Sequence, residues 1–243
     1  MSVSVLCILQ ARVSSSRLPG KVLMPILGEP ILARQIERIR RARLVDALTV
    51  ATSDEPSDDA IAELCSRLDV ACFRGSLDDV LDRFYQAASG ATLRAGHVMR
   101  LTGDCPLTDP ALLDALVELH LEGGFDYSSN VEERTFPDGL DAEIFSHVLL
   151  ERTWREATAA YDREHVTPYM RRAVPVERRG RLTDRVDRSN LRWTVDYPED
   201  FEFARQVFEA LYPGNPGFDA DDVHALLHDH PEIAAVNARR VAS

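Results

Sequence analysis

Short apolar runs alternate with amphipathic helical patterns through the first half of the chain. The run at residues 3–9 is typical of a strand buried on both faces of a sheet, and residues 97–101 also predict a strand. Between such runs, apolar residues recur with the spacing of a helix, as at residues 31–42. Strands separated by helices are parallel, because a parallel pair needs a long crossover connection. The sequence therefore predicts an α/β fold with a mostly parallel sheet, whose ligands bind at the carboxyl ends of the strands.

The same criteria predict the remaining elements of a single domain over residues 1–243. Further strands are expected at residues 47–52, 70–73 and 191–195, with a candidate strand at 126–129 and a short segment at 142–145. Further helices are expected at residues 58–68, 77–88, 110–122, 147–160, 164–172, 199–211 and 220–229. The chain contains no repeats and no low-complexity linker.

Residues 132–145 do not follow this alternation of strands and helices. We expect an excursion of roughly residues 130–146 to leave the main sheet. The segment mixes apolar and acidic side chains: Phe136, Leu140, Ile144 and Phe145 with Asp138, Asp141 and Glu143. Such an apolar patch would be costly on the surface of a monomer. We therefore expect the segment to form the arm of a homodimer that covers a second-substrate pocket. The alternative is a flap folded over its own domain.

Charge and composition exclude several classes of protein. The net charge of −12, from 28 basic and 40 acidic residues, argues against a general nucleic-acid binder. No run approaches the roughly 20 apolar residues of a membrane helix, and the start resembles a buried strand more than a signal peptide. We therefore expect a cytoplasmic protein without membrane partners. The four cysteines form no C-x-x-C pair, so we expect them to be reduced and buried.

Lysine is nearly absent from the chain. Of 28 basic residues, all but Lys21 are arginine. A compact ammonium differs from a planar guanidinium, and phosphate sites use that difference. A lysine that survives such a bias therefore marks a position where arginine does not serve, unless it survives by chance.

Lys21 ends a polar loop that follows the first strand. Residues 10–21 contain three cations (Arg12, Arg17 and Lys21), three serines and a glycine. Backbone N–H groups in such a turn can form a nest for anionic oxygens, which the cations neutralise. The loop matches neither the phosphate-binding P-loop nor the dinucleotide-binding glycine fingerprint. It predicts a phosphate site, with a solvated basic loop as the alternative.

Two aspartates follow predicted strands farther along the chain. Asp104 comes after the strand at 97–101, and Asp196 comes after the strand at 191–195. Each alone could be a turn or helix-capping residue. Together, at neighbouring strand ends, they predict a Mg²⁺ site, because Mg²⁺ binds one or two carboxylates along with substrate phosphates.

Three loops with these residues resemble those of a known family. Residues 11–21 (A-R-x-x-S-x-R-L-P-G-K), 101–106 (L-T-G-D-C-P) and 194–200 (T-V-D-Y-P-E-D) are similar to motifs of the sugar-acid cytidylyltransferases. Segments 74–81, 136–145 and 163–169 resemble most closely the spore coat polysaccharide biosynthesis protein F branch. The resemblance implies a Rossmann-like, three-layer nucleotide-diphospho-sugar transferase fold. It also implies transfer of CMP from CTP to a sugar or sugar acid, with release of pyrophosphate, for surface polysaccharide biosynthesis.

The resemblance also implies roles for individual residues. Lys21, Arg12 and Asp104 would be catalytic, and Asp104 and Asp196 would bind Mg²⁺. The nucleotide would contact Gln10, Ala11, Arg12, Ser14, Arg17, Lys21, Arg74, Ser76, Asp79, Thr102 and Gly103. The second substrate would contact Asp138, Asp141, Glu143, Glu164, His165 and Thr167. Asp141 and His165 are the candidates for a general base, although His165 could equally be a structural hydrogen-bonding residue.

Two alternative functions remain open at this point. One is a nucleotide-sugar glycosyltransferase of similar fold, although residues 103–106 lack the second aspartate of the D-x-D metal motif usual in that class. The other is a catalytically silent nucleotide-binding subunit, which the presence of Lys21 and both aspartates disfavours. The fold alone does not decide between these functions.

Overall fold

A seven-stranded, mostly parallel sheet forms the centre of the molecule in a computed structural model that describes residues 4–238. Its strands are β1 (Val5–Gln10), β4 (Ala47–Ser53), β5 (Ala71–Gly75), β6 (His97–Thr102), β7 (Tyr127–Ser129), β8 (Glu143–Ser146) and β9 (Arg179–Arg181). Their order across the sheet is β5-β4-β1-β6-β8-β7-β9. A small antiparallel pair, β2 (Pro25–Ile26) and β3 (Glu29–Pro30), precedes the first helix. The predicted α/β class is confirmed.

Helices cover both faces of the sheet. They are α1 (Ile31–Ile39), α2 (Asp59–Arg67), α3 (Val80–Gly90), α4 (Pro110–Glu122), α5 (His147–Glu156), α6 (Ala160–His165), α7 (Pro168–Ala173), α8 (Pro198–Leu211), α9 (Ala220–Asp229) and α10 (Pro231–Ala234). None of those in residues 4–238 is long and apolar enough to cross a membrane.

The side chains of β1 show why the sheet has helices on both sides. Cys7 and Leu9 belong to one buried cluster, which contains residues of α1, α2, α4 and α8. Leu6 and Ile8 belong to another cluster on the opposite face, with residues of α3 and α5. Successive side chains of a strand point to opposite faces, so a continuous apolar run is buried on both. The result is the predicted three-layer arrangement.

The chain reverses direction across the sheet next to β1. It proceeds outward from β1 to β4 and β5, and then crosses to β6 on the other side of β1. In open α/β sheets such a switch point leaves a crevice at the carboxyl ends of the two strands. Here Gln10 and Thr102 are paired at those ends.

The expectation that residues 130–146 leave the sheet is wrong for residues 143–146, whereas residues 130–142 lie outside the strands. β8 lies inside the sheet, antiparallel to both β6 and β7. Leu140, Ile144 and Phe145 are buried within the chain itself, because the position of β8 between β6 and β7 places them against the core. The exposed apolar patch that suggested a dimer arm therefore does not exist, and only the connection between β7 and β8 is an irregular loop.

Several other boundaries differ from those predicted. Residues 191–195 form no strand and make only an isolated bridge, between Asp138 and Arg192. The helix predicted at 164–172 is two helices separated at Val166. The predicted buried cysteines are buried except for Cys72, which is exposed on the edge strand β5. Residue 3 of the first predicted strand lies outside the described residues.

Candidate active site

The loop after β1 is held in a compact shape by its own backbone and by one buried carboxylate. Gly20, at a φ of +74°, donates its N–H to the carbonyl of Val13 at 2.9 Å, a backbone conformation that favours glycine. Asp58, fully buried, accepts the N–H of Val13 at 2.7 Å and also contacts Ser53. Burial alone would raise the pKa of Asp58, but these hydrogen bonds outweigh it and lower that pKa.

Lys21 joins the two predicted metal-binding aspartates. Its Nζ atom donates to Asp104 Oδ2 and to Asp196 Oδ1, at 2.8 Å each. Lys21 is 7% exposed. Burial would lower the pKa of Lys21, but the two carboxylates outweigh burial and raise it. The predicted cation and both predicted carboxylates therefore meet at one point.

Asp196 is placed by contacts outside any strand. The N–H of the preceding Val195 donates to the carbonyl of Asp104 at 2.8 Å, which joins the two aspartate loops. The buried Asp200 accepts the N–H of Asp196 at 3.0 Å. Asp196 Oδ2 accepts from Arg192 at 2.8 Å and lies 3.2 Å from Arg17. Hydrogen bonds from Lys21 and Arg192 outweigh burial and lower the pKa of Asp196.

A cleft of about 630 Å³ opens over this cluster at the switch point. It is lined by Gln10, Ala11, Arg12, Ser15, Ser16, Arg17, Lys21, Val22, Thr102, Gly103, Asp104 and Asp196. Gly103 allows the two loops to approach closely, because a Cβ there would lie 2.9 Å from that of Ala11. Most of the predicted nucleotide-binding residues thus meet in one cleft, whereas Ser14 is exposed and outside its lining.

The predicted nucleotide residues at 74–79 lie elsewhere and make structural contacts. Arg74 donates to the carbonyls of Ser53 and Glu55 and pairs with Asp59. The Ser76 hydroxyl accepts the N–H of Asp79 at 3.0 Å. Asp79 caps α3 and pairs with Arg163 of α6 at 2.5 Å. None of the three lines the first cleft.

A second cleft of about 670 Å³ shares Thr102 with the first. It is lined by Arg100, Thr102, Val131, Arg134, Asp141, Glu143, Tyr161, His165, Thr167 and Arg171. Four of the six predicted second-substrate residues are in this list. The other two, Asp138 and Glu164, are outside it.

Three arginines contribute to the second cleft. Arg134 binds Asp141 through two hydrogen bonds, of 2.8 and 2.7 Å. Arg100 donates to the buried Glu143 at 2.6 Å. Arg171 makes no ion pair within residues 4–238. The cleft therefore offers one uncompensated positive charge to an anionic ligand.

A strained turn holds the α6–α7 side of this cleft. Val166 has a φ of +69° and a ψ of −57°, and the N–H of Thr167 donates to the carbonyl of His165 at 2.8 Å. This is a γ-turn, which is rare for any residue and especially unfavourable for a β-branched one. Strain of this kind concentrates at functional sites. Here it brings His165 and Thr167 to the same cleft wall.

A glycine turn places Asp138 next to the Asp196 segment. Gly139 has a φ of +114°, and a Cβ there would lie 2.3 Å from the backbone nitrogen of Thr194. Asp138 accepts a hydrogen bond from Arg192 at 2.8 Å. Burial and the charge of Asp141 raise the pKa of Asp138 despite this arginine.

Sequence reasoning missed Asp58 and Arg192, along with the arginines of the second cleft. Arg192 contacts Asp138, Asp196 and Asp200 at once. Its spacing of four residues from Asp196 was a usable signal. Asp58 gave no such signal, because its partner Val13 is 45 residues away.

Asp104 and Asp196 offer two of the oxygen ligands that a magnesium ion takes. Within residues 4–238 there is no group of three or more acidic, histidine or cysteine side chains that could hold a metal. Asp104 and Asp196 are hard oxygen ligands brought to one point, and Mg²⁺ is commonly held by one or two carboxylates, with phosphate and water oxygens as its other ligands.

Comparison with known proteins gives one consistent family. The sequence model of the family described as cytidylyltransferase matches residues 6–210. Spore coat polysaccharide biosynthesis protein SpsF of Bacillus subtilis is 32% identical, over 95% of this chain and 96% of its own length. The 3-deoxy-manno-octulosonate cytidylyltransferase of Anaeromyxobacter sp. is also 32% identical, over 97% of this chain and 89% of its own. A solved cytidylyltransferase structure from Leptospira borgpetersenii superposes with a TM-score of 0.89 at 32% identity, covering 96% of this chain and 97% of the other.

Proposed function

This chain belongs to the cytidylyltransferase family, and from that membership we propose that it transfers CMP from CTP to a sugar or sugar acid. Pyrophosphate is the second product. The observation that carries the proposal is the contact of Lys21 with both Asp104 and Asp196. That contact lies in a cation-lined cleft at the sheet's switch point, where α/β folds bind nucleotides.

In the proposed reaction a sugar hydroxyl attacks the α-phosphorus of CTP. A bond forms between the sugar oxygen and this phosphorus, and the bond to the bridging oxygen of the β-phosphate breaks. Arg12, Arg17 and Lys21 bind the triphosphate and neutralise the charge that develops on the leaving pyrophosphate. The acceptor binds in the second cleft, next to Thr102, which both clefts share. Its hydroxyl proton goes to His165 or to solvent, because Asp141 is already paired with Arg134.

Magnesium, held by Asp104 and Asp196, would supply positive charge and orientation for the phosphates. The chain's own contribution is to keep the two carboxylates together through Lys21, Arg192 and Asp200.

The second cleft favours an acceptor that carries an anionic group. Arg171 has no ion pair within residues 4–238, whereas Arg100 and Arg134 are neutralised by Glu143 and Asp141. An arginine in a cleft binds a carboxylate or phosphate oxygen well, because its N–H groups match their geometry. This supports a sugar acid over a neutral sugar. The likeness to spore coat polysaccharide biosynthesis protein SpsF supports a role in making surface polysaccharide.

The two alternatives have less support. A glycosyltransferase usually holds its metal with a D-x-D motif, whereas here the second carboxylate, Asp196, is 92 residues beyond Asp104. A silent binding subunit would not need Lys21 between two aspartates. Neither alternative has an observation in its favour.

A pyrophosphate-release screen tests the proposed function. Each of the four NTPs is combined with a panel of sugar acids, aminosugars and phosphonates, in the presence of Mg²⁺. We expect release with CTP and an anionic sugar. Release only with a different NTP would contradict the proposed CMP transfer, and release with neutral sugars alone would contradict the anionic acceptor.

We also propose that the protein is cytoplasmic and forms a homodimer. The dimer is supported by three exposed apolar side chains between residues 147 and 178, those of Val148, Tyr161 and Val176. Tyr161 also lines the second cleft. Light scattering decides it, since a mass near the 27.2 kDa of one chain would exclude a dimer.

A further inference from the structure

An ion pair joins two segments that resemble motifs of the family but line no part of the first cleft. The segments are residues 74–81 and 163–169. Asp79, in the first, contacts Arg163, in the second, although 84 residues separate them in the sequence. A function that both segments serve therefore lies outside the first cleft.

Arg163 ties α6 to α3 and to α5. Its Nε atom donates to both carboxylate oxygens of Asp79, at 2.9 and 3.1 Å, and its Nη2 atom donates to Oδ2 at 2.5 Å. Its Nη1 atom donates to the carbonyl of Trp154, in α5, at 2.8 Å. The side chains of Arg163 and Asp79 are 21% and 37% exposed. A partly buried guanidinium that binds a carboxylate through two nitrogens holds it in a fixed geometry.

The strained turn at Val166 lies three residues after Arg163. Val166 is fully buried, in the same cluster as Leu81 and Phe84 of α3, and its φ is +69°. A positive φ is unfavourable for a β-branched residue and persists only where the surrounding structure enforces it. The ion pair of Arg163 and the packing of Val166 both fix this segment to α3, so α3 supplies that constraint.

The turn determines which side chains reach the second cleft. His165 and Thr167, on either side of Val166, both line that cleft. The N–H of Thr167 donates to the carbonyl of His165 at 2.8 Å, which closes the turn. If Val166 relaxed to a negative φ, this γ-turn would open and the two flanking side chains would no longer have their present directions.

The other ion pair of α6 does not reach α3. Arg172, in α7, donates to both carboxylate oxygens of Asp162, at 2.8 and 2.7 Å. The side chain of Arg172 is 61% exposed, and exposed ion pairs contribute little to stability. This pair joins α6 to α7, so it constrains neither helix relative to α3.

We propose that Arg163 and Asp79 are positioning residues for the acceptor, because their ion pair holds the turn at Val166 against α3 and keeps His165 and Thr167 in the second cleft. This inference rests on the proposed CMP transfer, in which the acceptor binds in that cleft. It gives Asp79 a role other than the nucleotide contact that the family resemblance implies. The pair acts on the acceptor and not on CTP, since neither residue lines the first cleft.

Steady-state kinetics of pyrophosphate release tests this role, with CTP and the sugar acid that releases most pyrophosphate in the screen. We expect Arg163→Met to lower kcat/KM for the sugar acid by about 10- to 100-fold, since a misplacement of about 1 Å in a site can cost a factor of about 100. KM for CTP should stay unchanged. Arg163→Lys keeps a positive charge next to Asp79 and should lose less. A rise in KM for CTP would indicate a nucleotide contact and overturn the proposal.

Asp79→Asn tests the other partner of the ion pair. Asp79 also caps α3 by accepting the N–H of Asp82 at 2.9 Å, and asparagine caps helices about as well. The substitution therefore removes the charge and retains the cap. It should lower kcat/KM for the sugar acid, and the double variant with Arg163→Met should lose no more than Arg163→Met alone, because both remove the same interaction. Fully additive losses would overturn the proposal. If Arg163→Met does not fold, Asp79→Asn decides alone.

Arg172→Met is the matched control, because it removes the other ion pair of α6 by the same substitution. It should leave kcat/KM for the sugar acid unchanged. An equal loss in Arg172→Met and Arg163→Met would show that any weakening of α6 has this effect, and the specific role of Arg163 would then be wrong.

Hydrogen exchange measures the turn itself, without a substrate. In Arg163→Met, the N–H groups of Val166 and Thr167, which donate to Asp162 and His165, should exchange about 10-fold faster than in the wild type. Unchanged exchange would show that the ion pair does not hold the turn. If the wild type releases no pyrophosphate from CTP with any sugar acid, the proposed function fails, and the exchange rates still decide whether the ion pair holds the turn.

Discussion

The ammonium of Lys21 lies 2.8 Å from Asp196, although 175 residues separate them in the sequence. The same nitrogen lies 2.8 Å from Asp104, so one lysine lies between two carboxylates and offsets their mutual repulsion. The contact requires a compact cation on a side chain that is almost fully buried. This contact is a structural reason for a lysine at position 21 in a chain whose other basic residues are all arginine.

Replacement of Lys21 by arginine should reduce turnover by about 10²–10³, the usual cost of losing one preorganised charge at a developing anion. The planar guanidinium is larger and cannot take the place of an ammonium between two carboxylates. The measurement is kcat from pyrophosphate release with CTP, with thermal melts to show that the variant is folded. Wild-type turnover in Lys21→Arg would refute the argument from lysine scarcity.

Replacement of Asp104 or Asp196 by asparagine should raise the Mg²⁺ concentration that half-maximal activity requires. Each substitution removes one of the two carboxylates that we propose as ligands of the ion. The measurement is activity against Mg²⁺ concentration, and Asp114→Asn is the control because Asp114 contacts Arg43 and Leu44 away from the clefts. An unchanged Mg²⁺ curve for Asp196→Asn would leave Asp104 as the sole ligand.

The alternation of short apolar runs with helical patterns predicted the parallel half of the sheet, because strands that are separated by helices pair in parallel. β1, β4 and β6 were found within two residues of their ends. The same pattern marked a short segment at 142–145 but could not place β8 inside the sheet, because β8 pairs antiparallel with both of its neighbours. Its apolar residues looked exposed because the sequence does not show which elements cover them.

The residues of the first cleft were predictable because each follows a strand or a motif. Arg192 and Asp58 were not, since their partners are fixed by tertiary packing. Asp196 lies next to Lys21 at the predicted site, although the strand predicted at residues 191–195 does not form. It is positioned instead by a hydrogen bond from Arg192 to its carboxylate and by one from its own backbone N–H to Asp200. The turn at Val166 was also unpredictable, because β-branched residues avoid positive φ.

Replacement of Arg171 by methionine should raise the KM for the acceptor by about 10- to 100-fold and leave the KM for CTP unchanged. A hydrogen bond to a charged group contributes about 1.5–3 kcal/mol, which corresponds to that change. Steady-state kinetics with each substrate varied in turn measures both constants. Arg172→Met is the control, because Arg172 is exposed and pairs with Asp162 outside the cleft. Equal effects of both substitutions would count against an anion site at Arg171.

The last prediction concerns His120, which is fully buried at the opposite end of the sheet from the clefts. Its Nε2 lies 2.8 Å from His97 Nδ1, and its Nδ1 lies 2.8 Å from the hydroxyl of Ser128. Burial, with a smaller effect of His97, lowers the pKa of His120 to about 3. Between about pH 3 and the ordinary pKa of 6.5, His120 is protonated in the unfolded chain and neutral in the folded chain.

Stability should therefore fall as the pH falls through this window, by up to about 1.4 kcal/mol per pH unit from His120. His120→Gln should lower stability near neutral pH, because the two hydrogen bonds are disturbed, and should flatten its dependence on pH. The free energy of unfolding in urea, measured at about pH 7 and about pH 4.5, gives both quantities. His228→Gln, at an exposed position of α9, is the control and should leave the slope unchanged. The same slope in His120→Gln as in wild type would show that other groups control acid unfolding.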